Sequence, residues 1–232
     1  PELVLHNATL GTFEVVRLGE ASGATAYATV VTQGGVTNNG FISAPAAGGT
    51  LTINENTIVG SPGSGPDPVA EFLNNGVISA TSGRIVISGE GPSINAIFLN
   101  DGTVGVAGGG EVDLAVAVAG NGRIVLQGTA TVSALESVSF NQTVQFNGDA
   151  ADPERLVLAR PDVFEAKLRG LGMGDSIDVS RPNVTGTVAD GRLSLSTYGS
   201  PLTSFDIGAG YTTSSFTFSA DGIGGTLIGV VC

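Results

Sequence analysis

The sequence predicts an all-β chain: a parallel β-solenoid, read as a right-handed β-helix, with atypical N-terminal strands and a β-rich C-terminal module. Three observations predict it. A phrase recurs from Glu71 to Gln127: one or two apolar residues, Asn or Asp, Gly, a short β-type run, a Gly-rich turn and a second β-type run. Repeats of this length signal a solenoid. The chain of 232 residues holds 36 glycines without a three-residue period, which excludes collagen and suits many tight turns. Its apolar runs are too short, and too broken by Gly, for helices. A β-sandwich with similar hairpins is the alternative.

Residues 1–37 lack the phrase. Leu3-Val4-Leu5 and Phe13 to Leu18 read as strands, Ala21 to Ala28 is a small-residue stretch, and Thr29 to Thr32 reads as a third strand. Open solenoid ends expose unpaired backbone, so this part is expected to be a cap or a polymerisation arm. His6 is the only histidine, has no Cys or paired carboxylate beside it, and reads as a strand residue.

Residues 38–148 are the repeats. Asn39-Gly40, Asn75-Gly76, Asp101-Gly102 and Asn121-Gly122 mark sharp turns where positive φ is expected. After each comes a strand run: Phe41-Ile42, Val77-Ile78, Thr103-Val104, Ile124 to Leu126. About ten residues beyond each turn a second run follows: Leu51 to Ile53, Ile85 to Ile87, Val112 to Leu114, Val132. Stacking one phrase on the next, about 4.8 Å apart, accounts for both runs and for their return. The expectation is four to five parallel coils with the Asn/Asp-Gly pairs at one corner and Val86, Val104 and Val125 inward or beside inward residues. The longest gap holds Ser61 to Pro68, loop composition throughout. Val138 to Gly148 alternates like a half-buried strand pair.

Residues 149–232 change character. Leu156 to Leu158, Val163 to Leu168, Arg192 to Leu195, Phe205 to Ile207, Phe216 to Phe218 and Thr226 to Val231 read as strands. Three motifs stand here: F-x-A-x-L-x-G-L-G-x-G-D-x-I-D-V from Phe164, D-G-x-L-S-L from Asp190, and F-x-F-S-x-D-G-x-G-G-T-L-I from Phe216. Together they resemble a C-terminal module of large bacterial secreted β-helical proteins, in which the last strand runs into a Hint domain, an intein-like autoprocessing fold opening on Cys. The resemblance covers about a third of the chain. It implies a processing junction at Val231 and Cys232, where the thiol of a longer precursor attacks the Val231 carbonyl to form a thioester.

Charge excludes one class of partner. The net charge is −12, from 21 acidic and 9 basic residues, with eight Arg scattered singly and one Lys, Lys167. Nucleic-acid binding needs a basic surface, so nucleic acid is rejected. No apolar run reaches membrane-spanning length, and no membrane insertion is expected. Scarce Lys, one Met and one Cys resemble bacterial secreted proteins, so an extracellular or cell-surface location is expected. No signal peptide is visible, and a start at Pro1 reads as processed or trimmed.

No catalytic constellation is found. Asp101, Glu111 and Asp113 are the carboxylates that would share a face of adjacent strands, but no basic partner sits near them in sequence, and solvated turn residues are the better reading. Gly172 to Asp178 and Asp221 to Leu227 partly match a Ca²⁺-binding glycine–aspartate repeat without its spacing. Turn chemistry accounts for them, with Ca²⁺ kept open and no other cofactor or metal expected. Asn7, Asn141 and Asn183 open N-x-T sequons read as incidental. The functional expectation is a non-enzymatic, secreted structural solenoid, a subunit of an extracellular filament, matrix or adhesin built head-to-tail by strand addition. Self-association is assigned to Leu3, Val4, Leu5, Phe13, Val15, Leu18, Leu227 and Ile228. The alternatives are a polysaccharide-active β-helix enzyme and a carbohydrate-binding adhesin, with cell-surface polysaccharide as a second partner.

Overall fold

The computed structural model describes residues 2–6, 9–10, 15–17, 27–33, 36–43, 49–56, 71–89 and 96–231. Three strands make each coil. The first coil is β1 (Glu2–His6), β2 (Thr9–Leu10) and β3 (Val15–Arg17), and the second is β4 (Tyr27–Gln33), β5 (Val36–Asn38) and β6 (Phe41–Ser43). The third is β7 (Thr50–Asn56), β8 (Glu71–Asn74) and β9 (Val77–Thr81), and the fourth is β10 (Arg84–Gly89), β11 (Ile97–Asn100) and β12 (Thr103–Ala107). The fifth is β13 (Glu111–Leu114), β14 (Ala117–Ala119) and β15 (Arg123–Gln127). Then come β16 (Thr131–Ala134) with β17 (Thr143–Phe146), β18 (Arg155–Leu158) with β19 (Lys167–Arg169), and β20 (Ser176–Val179).

Like strands stack in parallel into three sheets: sheet A from β1 through β20, sheet B from β2 to β14, and sheet C from β3 to β19. The chain is a parallel β-solenoid, and five strands of sheet C fall within residues 38–148. Parallel pairing runs across residues 37 and 148: β1 pairs β4, β4 pairs β7, and β18 pairs both β16 and β20. The N-terminal strands thus join the same sheets as the repeats, although they lack the Asn-Gly phrase. Among the described residues no helix is long and apolar enough to cross a membrane.

The interior is built from columns of like side chains. In sheet A, Leu51, Ile85, Val112, Val132, Leu156 and Ile177 lie in register, each at 0% exposure. In sheet C the column is Ile42, Ile78, Val104, Ile124, Val144 and Leu168. In sheet B, Phe72 and Phe98 stack with centroids 5.5 Å apart, and Val118, Val138 and Phe164 continue the column through single bridges. Period-2 alternation sends the next residue outward, so Val104 is buried while Val86 and Val125 sit beside inward residues.

Three local expectations are corrected. Gly76, Gly102 and Gly122 do not take positive φ. Glycine is needed there because a Cβ would collide with the previous coil: at Gly76 it would lie 2.8 Å from Asn39 C, and at Gly102 2.8 Å from Asn75 C. The strand expected at Val138 to Phe140 is only a bridge at Val138, and Phe140 is exposed, because the chain turns outward between sheets B and C. The strand expected from Val163 to Leu168 is a 3₁₀ turn at Pro161–Val163 followed by β19; proline fixes the turn's φ.

The C-terminal end is closed. An antiparallel sheet of β21 (Val184–Ala189), β22 (Arg192–Thr197) and β23 (Ser200–Asp206) follows β20. Its Val184, Leu193, Leu195 and Phe205 belong to the same buried core as the coils. The Phe205 ring meets Phe164 edge-on at 5.6 Å, and Arg169 at the end of sheet C pairs with Asp206 at 2.9 Å. Finally β24 (Phe216–Ala220) and β25 (Thr226–Val230) extend sheet A. β25 lies antiparallel to both β20 and β24, so both of its edges are occupied. That corrects the assignment of Leu227 and Ile228 to a strand-adding edge: Leu227 is half-buried and Ile228 fully buried in the middle of a sheet.

Candidate functional site

The corner between sheets B and C carries a continuous chain of buried side-chain amides. Asn38, Asn74 and Asn100 end successive strands of sheet B and are each at 0% exposure. Their amides form a buried chain: Asn38 Nδ2 donates to Asn74 Oδ1 (2.8 Å), Asn74 Nδ2 to Asn100 Oδ1 (2.8 Å), and Asn100 Nδ2 to Gln142 Oε1 (2.9 Å). Gln142 Nε2 ends it on the carbonyls of Asn100 and Ala119. The backbone carbonyls of Asn38 and Asn74 each also take two backbone N–H groups from the next coil, as Asn74 O does from Asp101 and Gly102 (2.8 and 2.7 Å), and Asn100 O takes one, from Gly122 (2.7 Å). Burial of an amide is tolerable only when its groups are paired, and the repeat pairs them between coils.

Outside this ladder the chain makes a furrow along the solenoid axis. Its floor is the backbone of Gly76, Gly102 and Gly122. One wall is Asn75, Asp101 and Asn121 at the corner; the other is the outward row Val77, Thr103, Arg123 and Thr143, which the sheet C register aligns. Val125, Gln145 and Asn147 widen the same concavity, an open groove of about 820 Å³. The glycines that stacking demands also create the concavity, since they leave no side chain between the two walls.

The groove differs in charge from the rest of this acidic chain. Its only carboxylate, Asp101, accepts from Asn121 N (2.7 Å) and Asn121 Nδ2 (3.2 Å). Arg123 is exposed within it, and Lys167 continues the Thr103–Arg123–Thr143 row one strand further. Among the described residues neither cation meets a carboxylate within ion-pair distance, whereas Arg84, Arg155, Arg160, Arg169 and Arg181 all do.

Neither a known protein family nor a curated protein matches this chain. Its residues must therefore be read on their own geometry. The three carboxylates selected from the sequence are not brought together. Glu111 and Asp113 share β13 on sheet A, where Arg84 takes both: Nε lies 3.6 Å from Glu111 and donates to Asp113 at 2.8 Å. Asp101 sits at the other corner of the coil. Arg155 pairs with Asp178 in the same way one stretch further on. The basic partner that sequence spacing concealed comes from the preceding coil.

In the glycine–aspartate turns Asp175 and Asp221 are taken by backbone N–H groups, and Asp178 by Arg155. Asp175 accepts from Glu154 N (3.0 Å) and Gly172 N (2.7 Å), and Asp221 Oδ1 accepts from Ile223 N and Gly225 N, both at 2.8 Å. No group of three metal-ligating side chains occurs among the described residues. At the junction named from the sequence, Val231 follows β25 and donates its N–H to Ser215 O (3.0 Å); Cys232 lies outside the described residues. Of the self-association residues, Leu3, Val4 and Leu5 lie on β1 and Val15 on β3, while Phe13 and Leu18 lie outside the described residues.

Glu154 was not selected from the sequence. It is at 0% exposure between two coils; Oε1 accepts from Gly128 N (3.1 Å), and Oε2 has no hydrogen-bond partner among the described residues. Burial first, then nearby Asp175, push its carboxyl above the ordinary 4.5, against the backbone N–H groups that favour the anion. Nothing in the local sequence distinguishes it from the solvated acids beside it.

Proposed function

We propose that this chain is a secreted structural β-solenoid that associates with copies of itself through the edges of sheet A. The observation that carries this reading is the state of that sheet's two ends. Among the described residues β1 is paired only with β4, and β24 only with β25. Both strands have five residues. Because β25 reverses direction and β24 reverses it again, β24 runs parallel to β1. A second copy can place its β1 on β24 and continue the sheet in its own parallel sense. The same contact repeated without closure gives a filament.

The joint is narrower than whole-coil stacking. Sheets B and C end at β14 and β19, while sheet A continues through β20 and β25 to β24, so sheet A is the coil sheet that reaches an edge strand beyond the last coils. Leu3, Val4 and Leu5 remain in the proposed contact; on the other side Phe216 to Ala220 replaces Leu227 and Ile228. The test is size-exclusion chromatography and electron microscopy of three proteins: intact chain, chain lacking residues 1–18, and the variant Thr217→Lys with Ser219→Lys, which charges the β24 edge. Filaments or linear oligomers from the intact chain alone support the reading. Filaments from all three, or a monomeric intact chain at high concentration, overturn it.

A further inference from the structure

We propose that the axial furrow of sheet C binds a linear polysaccharide carrying carboxylates, with Arg123 as its central anion-recognising residue. The furrow has the direction and period for a polymer. It runs across β9, β12, β15 and β17, so each step along it is one coil, ~4.8 Å, the scale of one sugar ring in an extended chain. Three successive steps present the same elements: a glycine backbone below (Gly76, Gly102, Gly122), an amide or carboxylate of the corner on one side (Asn75, Asp101, Asn121), and a residue of the outward row on the other (Val77, Thr103, Arg123), with Thr143 extending that row onto the next strand.

The lining chemistry selects the ligand. The hydroxyls of Thr103 and Thr143 and the side-chain amide of Asn147 bring donors and acceptors to an open wall, as sugar hydroxyls require. Arg123 offers a planar, permanently charged fork that matches a carboxylate in two-point geometry. Lys167 stands two strands along the same row, placed for a second carboxylate further down the polymer. Asp101 is tied to Asn121 and lies on the corner wall, away from the cationic row. On a chain of net charge −12, a groove with this balance favours a sparse anion held by local contacts. A polyanion such as nucleic acid needs many neutralising cations and stacking aromatics, and the groove lining has no aromatic residue. An extended peptide pairs with strand edges, whereas this groove crosses strands.

The experiment measures binding of the intact chain to an oligogalacturonate of about eight units, by calorimetry and by affinity electrophoresis. The fully methyl-esterified form of the same oligomer keeps the backbone and removes the charge. Arg123→Gln is an exposed, non-core change, and Arg192→Gln removes an equal charge on β22, outside the groove. The proposal expects binding of the acid form, at least tenfold weaker binding of the ester, at least tenfold loss in Arg123→Gln, and no change in Arg192→Gln. Failure of the acid form to bind, equal binding of acid and ester, equal losses in both Arg variants, or full displacement by single-stranded DNA would each overturn it. Because monomers and filaments present the same groove, this outcome is independent of self-association.

Discussion

Replacing Asn74 by alanine tests the buried amide ladder directly. The substitution deletes the side chain that accepts from Asn38 and donates to Asn100. Asn38 Nδ2 then keeps only a weak 3.5 Å approach to Val77 O, and Asn100 Oδ1 loses its donor. Each buried polar group left without a partner costs about 1–3 kcal/mol, so two of them sum to about 3 kcal/mol once the residual contact is allowed for. Asn75→Ala is the matched control one residue along. It removes a single exposed bond to Asn39, 2.9 Å long, and is expected to cost about 0.5 kcal/mol. Urea denaturation followed by circular dichroism gives the difference. Hydrogen exchange at the amides of Asp101 and Gly102, which bond to Asn74 O, shows whether the loss is local to that coil, as expected where each repeat contacts only its neighbours. If Asn74→Ala and Asn75→Ala are equally mild, or the two amides stay fully protected, the ladder does not hold the coils together.

Three further outcomes follow from other sites. Gly102→Ala forces a Cβ against the backbone of the preceding coil and should destabilise by at least about 3 kcal/mol in the same urea assay, far beyond the intrinsic cost of losing glycine. Glu154 is held above its ordinary carboxyl range in the folded chain; stability it contributes is complete below the unfolded value and declines as pH rises through the folded one. Glu154→Gln should therefore remove a fall in stability that the parent chain shows as pH rises from about 4.5, measured as urea midpoint against pH. Phe205→Ala should cost about 3–5 kcal/mol and raise binding of an apolar dye by opening the capped end; an unchanged dye signal would show that β21 to β23 do not close it.

The coils between residues 71 and 127 were legible because their corner is marked by Asn-Gly and Asp-Gly, and because both strands after each corner alternate with period two. What the marks mean physically was not legible. The second residue of each Asn-Asn or Asn-Asp pair reads as turn chemistry, while the first, at 38, 74 and 100, is the one buried in the ladder. An Asn standing directly before each Asn-Gly or Asp-Gly pair, at 38, 74 and 100, was the available signal. Gln142 completes the ladder from a position outside the phrase, which no repeat-based reading identifies. The first coil was hidden because Leu10 occupies the register position of Asn38 and no Asn-Gly marks its corner. Near the C-terminus the strands were placed within a few residues, but pairing is set by tertiary contacts: nothing local in Thr226 to Val230 says it is flanked on both sides. The polar furrow went unread for a similar reason, since Thr103, Arg123 and Thr143 align only when the coils are stacked.

The shrinking separation between stacked corners has a kinetic consequence. Asn39 and Asn75 are 36 residues apart, Asn74 and Asn100 are 26, and Asp101 and Asn121 are 20. Closing the longest of these loops costs about 0.5 kcal/mol more than closing the shortest, roughly a factor of two in rate. In a chain whose units touch only their neighbours, formation starts where the first closure is fastest and spreads outward. The nucleus is therefore expected between Asp101 and Phe146, with the longer coils toward the N-terminus added afterwards onto a finished template. Pulse-labelled hydrogen exchange should find the amides of Val104, Ile124 and Val144 protected before those of Ile42 and Leu51. The reverse order would place the nucleus elsewhere.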